Sequence, residues 1–232
     1  MHNPHIRHIG FFRRVLDQTY AFVNTLSFKS SKDYWEKRYA HGGNSGGGSY
    51  GKLAQFKAEI INGFIKRYSI HSAVEFGCGD GNQIGLLDNN LDYLGLDVSA
   101  TAIAVCQQKF INDNRKRFLV YDAQQDLDPA LGIRAEMSLS LDVIFHLVED
   151  AVFKQYLRNL FNSAEHYVLI YSTNQDSKQI STLPHVRHRR FRDHVATAFS
   201  DWTLIEQVPN RYPLIQNKDG SDAEFFLYRR SD

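Results

Sequence analysis

Short apolar runs alternate with longer amphipathic stretches along most of this chain. Apolar residues at helical spacing before the first run predict a long helix with one buried face: Leu53, Phe56, Ile60, Ile61, Phe64 and Tyr68. Runs with the composition of β-strands lie at 73–76, 93–96, 118–121, 137–141, 167–171, 202–208 and 225–228. Helices are predicted between the strands, with Ser99 and Asp150 as N-caps. This order predicts an α/β fold with a mostly parallel, seven-stranded sheet and helices on both faces.

The first predicted strand runs into a glycine-rich loop, residues 75–81 with the sequence EFGCGDG, and the pattern predicts a helix after it. Glycines let a backbone turn tightly and approach a ligand, and the N–H groups at a helix start are free to bind one. A dinucleotide-binding fingerprint reads G-x-G-x-x-G, whereas here the third glycine comes one residue early and Asn82 stands in its place. The carboxylate of Glu75 would repel a pyrophosphate but suits a cationic ligand. The loop resembles the first motif of the class I S-adenosylmethionine-dependent methyltransferases.

Three aspartates follow successive predicted strands, at the edge where open α/β sheets bind their ligands. Asp97 comes roughly 20 residues after the glycine loop, the spacing at which a carboxylate accepts hydrogen bonds from ribose hydroxyls. Asp122 is placed to meet an adenine amino group, and Asp142 lies near the methionine portion of the cofactor. With these motifs the resemblance to class I methyltransferases covers residues 73–173. It implies a Rossmann-like sheet with an antiparallel last strand, S-adenosylmethionine as methyl donor and S-adenosylhomocysteine as product.

A glycine- and serine-rich tract at residues 42–51 follows an aromatic helical turn. Its composition is typical of a flexible linker, but its aromatic flanks favour a lid that folds over a ligand. We expect residues 1–50 to form an N-terminal helical segment and lid, and residues 51–232 to form a single methyltransferase domain. The predicted cofactor-binding residues combine the motifs with the tyrosines that flank the tract: Glu75, Gly77, Cys78, Gly79, Gly81, Asp97, Val98, Asp122, Ala123, Leu141, Tyr39 and Tyr50.

The predicted catalytic residues follow the fourth strand. His146 is a candidate general base, because a neutral imidazole takes a hydroxyl proton near neutral pH; it is equally well a structural histidine. Asp142 either orients His146 or binds the cofactor. The predicted acceptor-binding residues lie in a basic stretch after the fifth strand: His185, Arg187, His188, Arg189 and Arg190. Guanidinium groups match phosphate or carboxylate oxygens; a solvated basic face and contact with nucleic acid are the alternatives.

Composition narrows the function further. With 27 Lys and Arg against 26 Asp and Glu, the net charge is +1, so a nucleic-acid partner is not expected. Two cysteines, Cys78 and Cys106, are too few for a disulfide framework or a zinc site, which favours a cytoplasmic protein without a metal. No stretch is long enough to span a membrane. Apolar residues between Ile6 and Leu16 predict a basic amphipathic helix that packs on its own domain or on a second subunit in a homo-oligomer, with membrane contact as the alternative.

The segments around Trp35, His146 and His185 are similar to those of bacterial methyltransferases of surface-glycan and secondary-metabolite pathways. This narrower resemblance implies O-methylation of a sugar, a glycan precursor or a small phosphorylated metabolite. Methylation of RNA or protein is a competing prediction, and a non-catalytic domain that only binds S-adenosylmethionine is a third.

Overall fold

The structure is a computed structural model, and it describes residues 28–176 and 183–231. Its strands are β1 (Ser72–Phe76), β2 (Asp92–Asp97), β3 (Lys116–Val120), β4 (Ala135–Leu141), β5 (Ala164–Ser172), β6 (Trp202–Val208) and β7 (Glu224–Arg230). Its α-helices are α1 (Ser31–Ala40), α2 (Gly51–Tyr68), α3 (Ala100–Lys109), α4 (Asp150–Asn162) and α5 (Phe191–Ala198). The amphipathic helix predicted near the N-terminus, and the oligomer contact built on it, lie outside the described residues.

The strands form one sheet in the order β3-β2-β1-β4-β5-β7-β6. Strands β1 to β5 pair in parallel, and β7 lies antiparallel between β5 and β6. The predicted seven-stranded, mostly parallel sheet with an antiparallel last strand is therefore confirmed. Strand order reverses between β1 and β4, and in open α/β sheets this is the point where a crevice opens at the carboxyl ends of the strands.

Both faces of the sheet are covered by helices, as the sequence predicts. On one face, α2 and α3 bury Phe56, Ile61 and Cys106 against the strands. On the other, α4 and α5 bury Tyr156 and Phe191. The central strands are buried on both faces, and β5 accordingly carries a continuous apolar run. Strand β4 instead alternates apolar residues with Ser138 and Ser140, whose small side chains are buried as well.

The helix predicted directly after the glycine loop does not form. A single 3₁₀ turn, Ile84–Leu86, occupies the connection between β1 and β2. Gly85 and the neighbouring Asn and Asp residues lower the helix propensity of this stretch. The connection between β3 and β4 likewise holds only the 3₁₀ turn Pro129–Leu131, so the prediction that helices fill every gap is wrong for these two crossovers.

One of the two predicted helix caps is present. Ser99 accepts a hydrogen bond from the backbone N–H of Ala102 at the start of α3. At α4 the N-cap is Glu149, without a side-chain cap, and Asp150 is the first helical residue instead. The Glu149 carboxylate accepts hydrogen bonds from Ser31 at the start of α1, at 3.0 Å from the backbone N–H and 2.7 Å from the hydroxyl. Glu149 therefore ties α1 to the loop after β4. Within the described ranges no helix combines the length and apolar character needed to cross a membrane.

Helix α2 offers a test of this packing. Ile61 is completely buried, whereas the adjacent Ile60 is only partly buried. We expect Ile61→Ala to lower the free energy of unfolding by about 2–5 kcal/mol through lost burial and the cavity left behind. Urea denaturation is the measurement, with Ile60→Ala as the matched control. Equal losses in the two variants would contradict the orientation of α2 described above.

Candidate active site

A cavity opens at the carboxyl ends of β1, β2 and β4, where strand order reverses. It holds about 950 Å³ of empty space, part of which is continuous with solvent. Its floor is the glycine loop and the strand ends, while α1 and the glycine-rich tract supply wall residues that include Trp35, Tyr39 and Ser45.

The glycine loop follows β1 in a left-handed backbone conformation. Gly77, Gly79 and Gly81 have φ of 82°, 57° and 69°, a region that other residues enter only with strain. Space is limiting as well, because a Cβ on Gly79 would lie 2.2 Å from Ser45 Oγ. The tract can therefore close onto the loop only because residue 79 has no side chain.

Asp97 ends β2 with its carboxylate buried beneath this loop. It accepts hydrogen bonds from the backbone N–H groups of Gly79 and Ser99, both at 2.9 Å. Burial nevertheless outweighs these bonds and raises the pKa of Asp97 to about 6. Each carboxylate oxygen keeps a further lone pair, so Asp97 can accept hydrogen bonds from a ligand on the cavity side.

The end of β3 supplies the next predicted contacts. The exposed Asp122 accepts a hydrogen bond from the backbone N–H of Gln124 at 3.0 Å, and Ala123 is buried beside it. Both residues line the cavity, on the same side as Asp97 and Val98. These residues follow β3, which lies beside β2, and the sequence analysis predicts that the adenosine group binds at this edge.

Glu75, inside β1, is fully enclosed. The hydroxyl of Tyr93 donates a hydrogen bond of 2.6 Å to its carboxylate. Burial raises the pKa of Glu75 to about 7, although Tyr93 and the nearby Lys57 oppose the shift. The strand that leads into the glycine loop therefore contains a buried carboxyl group, Glu75, that is hydrogen-bonded to Tyr93 of β2.

Lys57 is a site residue that the sequence analysis missed. It lies in the middle of α2 with its side chain 1% exposed, and its Nζ is 2.7 Å from Asp142 Oδ2. Nζ also lies over the ring of Tyr171, 5.3 Å from its centroid. A signal was available in the sequence, because Lys57 falls midway between Leu53 and Ile61 at a spacing of four residues, on the apolar face of a helix.

One of the two predictions for Asp142 is that it orients His146, and the structure does not show this contact. Its carboxylate is paired with Lys57, and its backbone has φ of 61°. Asp142 lines the cavity together with Gly77 and Leu141, and its place near the cofactor stays a prediction. Gly48 of the tract lies against it, since a Cβ there would be 2.8 Å from Asp142 Oδ2.

Hydrogen bonds close the tract onto the glycine loop through Asp80. Its carboxylate accepts from the backbone N–H of Ser45 at 2.9 Å and from the hydroxyl of Tyr50 at 2.7 Å. Tyr39 shares a hydrogen bond with Ser45 Oγ. Tyr39 lines the cavity, whereas Tyr50 does not and reaches it only through Asp80. Residues 42–50 therefore form a structured cover rather than a free linker.

His146 lies on the 3₁₀ turn Ile144–His146 and lines the acceptor side of the cavity, where the ring of Trp35 meets it edge-on. Its Nδ1 is 3.0 Å from the backbone carbonyl oxygen of His185, which can only accept. Nδ1 therefore carries the proton, and Nε2 has a free lone pair. Burial lowers the pKa of His146 to about 3, so the ring is neutral throughout the physiological range.

The basic stretch after β5 fastens the His146 turn instead of lining the cavity. Arg189 is buried and donates hydrogen bonds to the carbonyl oxygens of Leu147 and Val148, the latter at 2.8 Å. Its guanidinium also pairs with Asp150 at 3.0 Å. Arg187 donates to the Val148 carbonyl at 2.9 Å and pairs with Asp150 at 3.1 Å.

The other members of this stretch are also engaged within the protein. Arg190 pairs with Asp193 at 3.1 Å. His185 stacks on Tyr34, with ring centroids 3.9 Å apart, and His188 shares a hydrogen bond with Thr173. The five residues that were predicted to bind the acceptor therefore contact other parts of the protein instead.

Most of the other predicted site residues converge on the cavity. Ten predicted cofactor residues line it, as do both predicted catalytic residues: Glu75, Gly77, Cys78, Gly79, Asp97, Val98, Asp122, Ala123, Leu141, Tyr39, His146 and Asp142. Gly81 lies below it, close to Cys106. Gln83, Lys57 and Trp35 line it without having been predicted. In the described part of the chain, no group of three or more His, Cys, Asp or Glu residues is arranged to hold a metal ion.

Comparisons with known proteins agree with this site. The model of a family described as a methyltransferase domain matches residues 73–165, the part that carries the glycine loop and the strand-end aspartates. No curated protein sequence matches the chain significantly. Many solved structures share the fold, among them the N-methyltransferase NodS from Bradyrhizobium japonicum WM9, with a TM-score of 0.67 at 14% identity, covering 88% of this chain and 100% of that one.

Two further structures are similar to the chain at 14% identity. Magnesium protoporphyrin IX methyltransferase from Synechocystis PCC 6803 has a TM-score of 0.63, covering 86% of this chain and 98% of its own. The methyltransferase domain of a bacterial Hen1 has a TM-score of 0.62, covering 78% of this chain and 100% of its own. The shared fold confirms the predicted class I fold, and the family match supports the predicted cofactor, S-adenosylmethionine.

We expect Asp97 to make cofactor binding depend on pH. It is the predicted acceptor for the ribose hydroxyls, and its pKa of about 6 means that its ionised form is lost as the pH falls through 6. We expect the affinity for S-adenosylhomocysteine to weaken about tenfold from pH 8 to pH 5, one factor of ten per pH unit below the pKa. Isothermal titration calorimetry measures this. Asp97→Asn is expected to bind weakly at every pH and without the step; a step that persists in this variant would assign it to another group, such as Glu75.

Arg189 is expected to be structural. Arg189→Met removes the guanidinium that lies over Phe153, and it leaves the Leu147 carbonyl without its donor and the Val148 carbonyl with Arg187 alone. We expect a loss of about 1–3 kcal/mol in the free energy of unfolding, the cost of buried polar groups that lose their partners. Arg190→Met is the control, because its exposed ion pair contributes about 0–1 kcal/mol. Urea denaturation of both variants distinguishes the two roles.

Proposed function

We propose that this chain, an S-adenosylmethionine-dependent methyltransferase of the class I fold, methylates a hydroxyl group of a small molecule with His146 as general base. The observation that carries the proposal is the orientation of His146. Its Nδ1–H is held by the His185 carbonyl, which leaves the Nε2 lone pair available on a cavity-lining side chain. A group that must lose a proton as it is methylated requires such an acceptor.

The base is kept neutral by its surroundings rather than activated by a carboxylate. Burial and the nearby positive charge of Arg38 both lower the pKa of His146. A pKa of about 3 makes the imidazole a weak base, but it guarantees an unprotonated Nε2 at any physiological pH. The hydrogen bond to His185 fixes the ring, so that Nε2 is held in one orientation.

The cofactor supplies the methyl group at its sulfonium, which is a good leaving group without acid catalysis. This chain's residues supply position and exclusion of water. Asp97 and Ala123 would hold the adenosine end, and the loop from Gly77 to Gly79 lies close enough to bind through its backbone. Trp35 and Tyr39, from α1 and its C-terminal end, wall the site on the side that faces solvent.

The acceptor side of the cavity is largely apolar. Trp35, Leu147 and Val152 line it around His146, with Lys32 as an exposed basic residue near the mouth. A sugar or a glycan precursor would present one of its hydroxyls to His146. A phosphorylated acceptor would have to bind Lys32, since the arginines after β5 are engaged with the protein.

A test of this function replaces the base. Purified protein is incubated with S-adenosylmethionine and a panel of sugars, nucleotide sugars, sugar phosphates and phenols, and S-adenosylhomocysteine release is measured. With the best acceptor we expect His146→Gln to lower kcat roughly 10²- to 10⁴-fold, the usual contribution of a general base. The affinity for S-adenosylhomocysteine should stay unchanged.

His166→Gln is the matched control, because His166 is an exposed histidine on β5 whose ring contact is with Tyr167. At saturating cofactor, kcat should show no acid limb near pH 6.5 that depends on His146, since the pKa of His146 is about 3. Full turnover by a folded His146→Gln protein that still binds S-adenosylhomocysteine would refute His146 as the base.

A further inference from the structure

The cavity has a second end whose polar groups the motifs do not explain. Asp97, Asp122 and Ala123 lie at the ends of β2 and β3, and they account for an adenosine. Across the crevice, at β1, β4 and α2, the lining residues include Lys57 and Gln83. Neither belongs to the glycine loop or to a strand end.

Gln83 presents an unpartnered acceptor at this end. Its side-chain Nε2 donates to the Ala54 carbonyl at 3.1 Å, which fixes the orientation of the amide because that carbonyl only accepts. Its Oε1 is buried and has no hydrogen-bond partner among the described residues. An acceptor buried without a partner costs free energy, so a ligand that donates a hydrogen bond there is favoured.

Lys57 presents the complementary donor. Its ammonium group has three hydrogens, and it donates one of them to Asp142 Oδ2 at 2.7 Å. The other two N–H donors of Lys57 remain on a side chain that is buried in the protein and lines the cavity. Next to it, the Asp142 carboxylate offers a negative charge. One end of the cavity therefore combines a cation, an anion and a free acceptor.

We propose that Lys57 and Gln83 bind the amino-acid end of the cofactor, Lys57 through the α-carboxylate and Gln83 Oε1 through the α-ammonium group. A zwitterion matches this end because both of its charges find an opposite partner, including Asp142 for the ammonium. Lys57 then selects for a cofactor that carries a carboxylate. The proposal rests on the cofactor site and is independent of His146 and of the acceptor.

Three ligands separate these roles by calorimetry. S-adenosylhomocysteine carries both charged groups, its decarboxylated analogue keeps only the amine, and 5′-methylthioadenosine lacks the whole amino-acid end. Each is titrated into the wild-type protein and into the variants. No acceptor is present, so a failure of the proposed hydroxyl methylation does not affect the outcome.

The lysine is tested with the double variant Lys57→Met/Asp142→Asn. Removing both charges leaves no unpaired carboxylate at position 142, and asparagine tolerates the left-handed backbone there. Glu75 loses the nearby cation but keeps its hydrogen bond from Tyr93. The single variant Asp142→Asn shows how much of the effect belongs to position 142, and Lys66→Met, at an exposed position on α2, is the control. Gln83→Leu tests the acceptor. Circular dichroism and urea denaturation check that each variant folds.

We expect the double variant to lose affinity for S-adenosylhomocysteine about 10- to 100-fold, the contribution of a hydrogen bond between charged groups. For the decarboxylated analogue, the double variant should lose little more affinity than the single variant Asp142→Asn. Gln83→Leu should weaken both amine-containing ligands about tenfold or more. Neither change should affect 5′-methylthioadenosine.

Equal losses for all three ligands would show that these residues act only on the structure of the site and would overturn the proposal. Unchanged affinity for S-adenosylhomocysteine in Lys57→Met/Asp142→Asn would overturn the role of Lys57. Unchanged affinity in Gln83→Leu would mean that Oε1 is satisfied by water and would overturn the role of Gln83. Binding of S-adenosylhomocysteine by His146→Gln separates these results from the proposed catalysis.

Discussion

The ion pair between Lys57 and Asp142 joins parts of the molecule that lie far apart in the chain. Lys57 belongs to the middle of α2, and Asp142 follows β4, at the point where strand order reverses. Breaking a buried pair of this kind leaves a charge without a partner, which costs more than the pair itself contributes. Asp142 has a left-handed backbone, and Gly48 approaches its carboxylate closely. Helix α2, the end of β4 and the glycine-rich tract therefore meet at the ion pair between Lys57 and Asp142.

The acceptor side depends on backbone carbonyls rather than on charged groups. The turn that carries His146 has its carbonyl oxygens bound by Arg187 and Arg189, and the imidazole itself donates to the carbonyl of His185. The basic stretch thus holds the turn of the proposed base in place. The His185 carbonyl fixes the tautomer of His146, and the guanidinium groups of Arg187 and Arg189 bind protein groups.

Proteins of about 14% identity share this fold while their names indicate different methyl acceptors. The shared part is the fold. In this chain, α1 with Trp35 and the turn with His146 line the cavity beside the strand ends, and we expect such segments to decide the acceptor. Such segments carry function on a common scaffold, and the fold alone does not specify it.

The sequence by itself determined the strands, the helix faces and the cofactor loop, because each depends on local periodicity or on backbone freedom at glycine. Asp97 was found in the same way, since its distance from the loop is set by one strand and one crossover. Tertiary structure alone decided which charges meet. Arg189 reads as a free cation in the sequence, and folding buries it against Val148. The sequence places Lys57 on the apolar face of α2, but only the fold brings it to Asp142, because side-chain pairing between distant segments follows from packing.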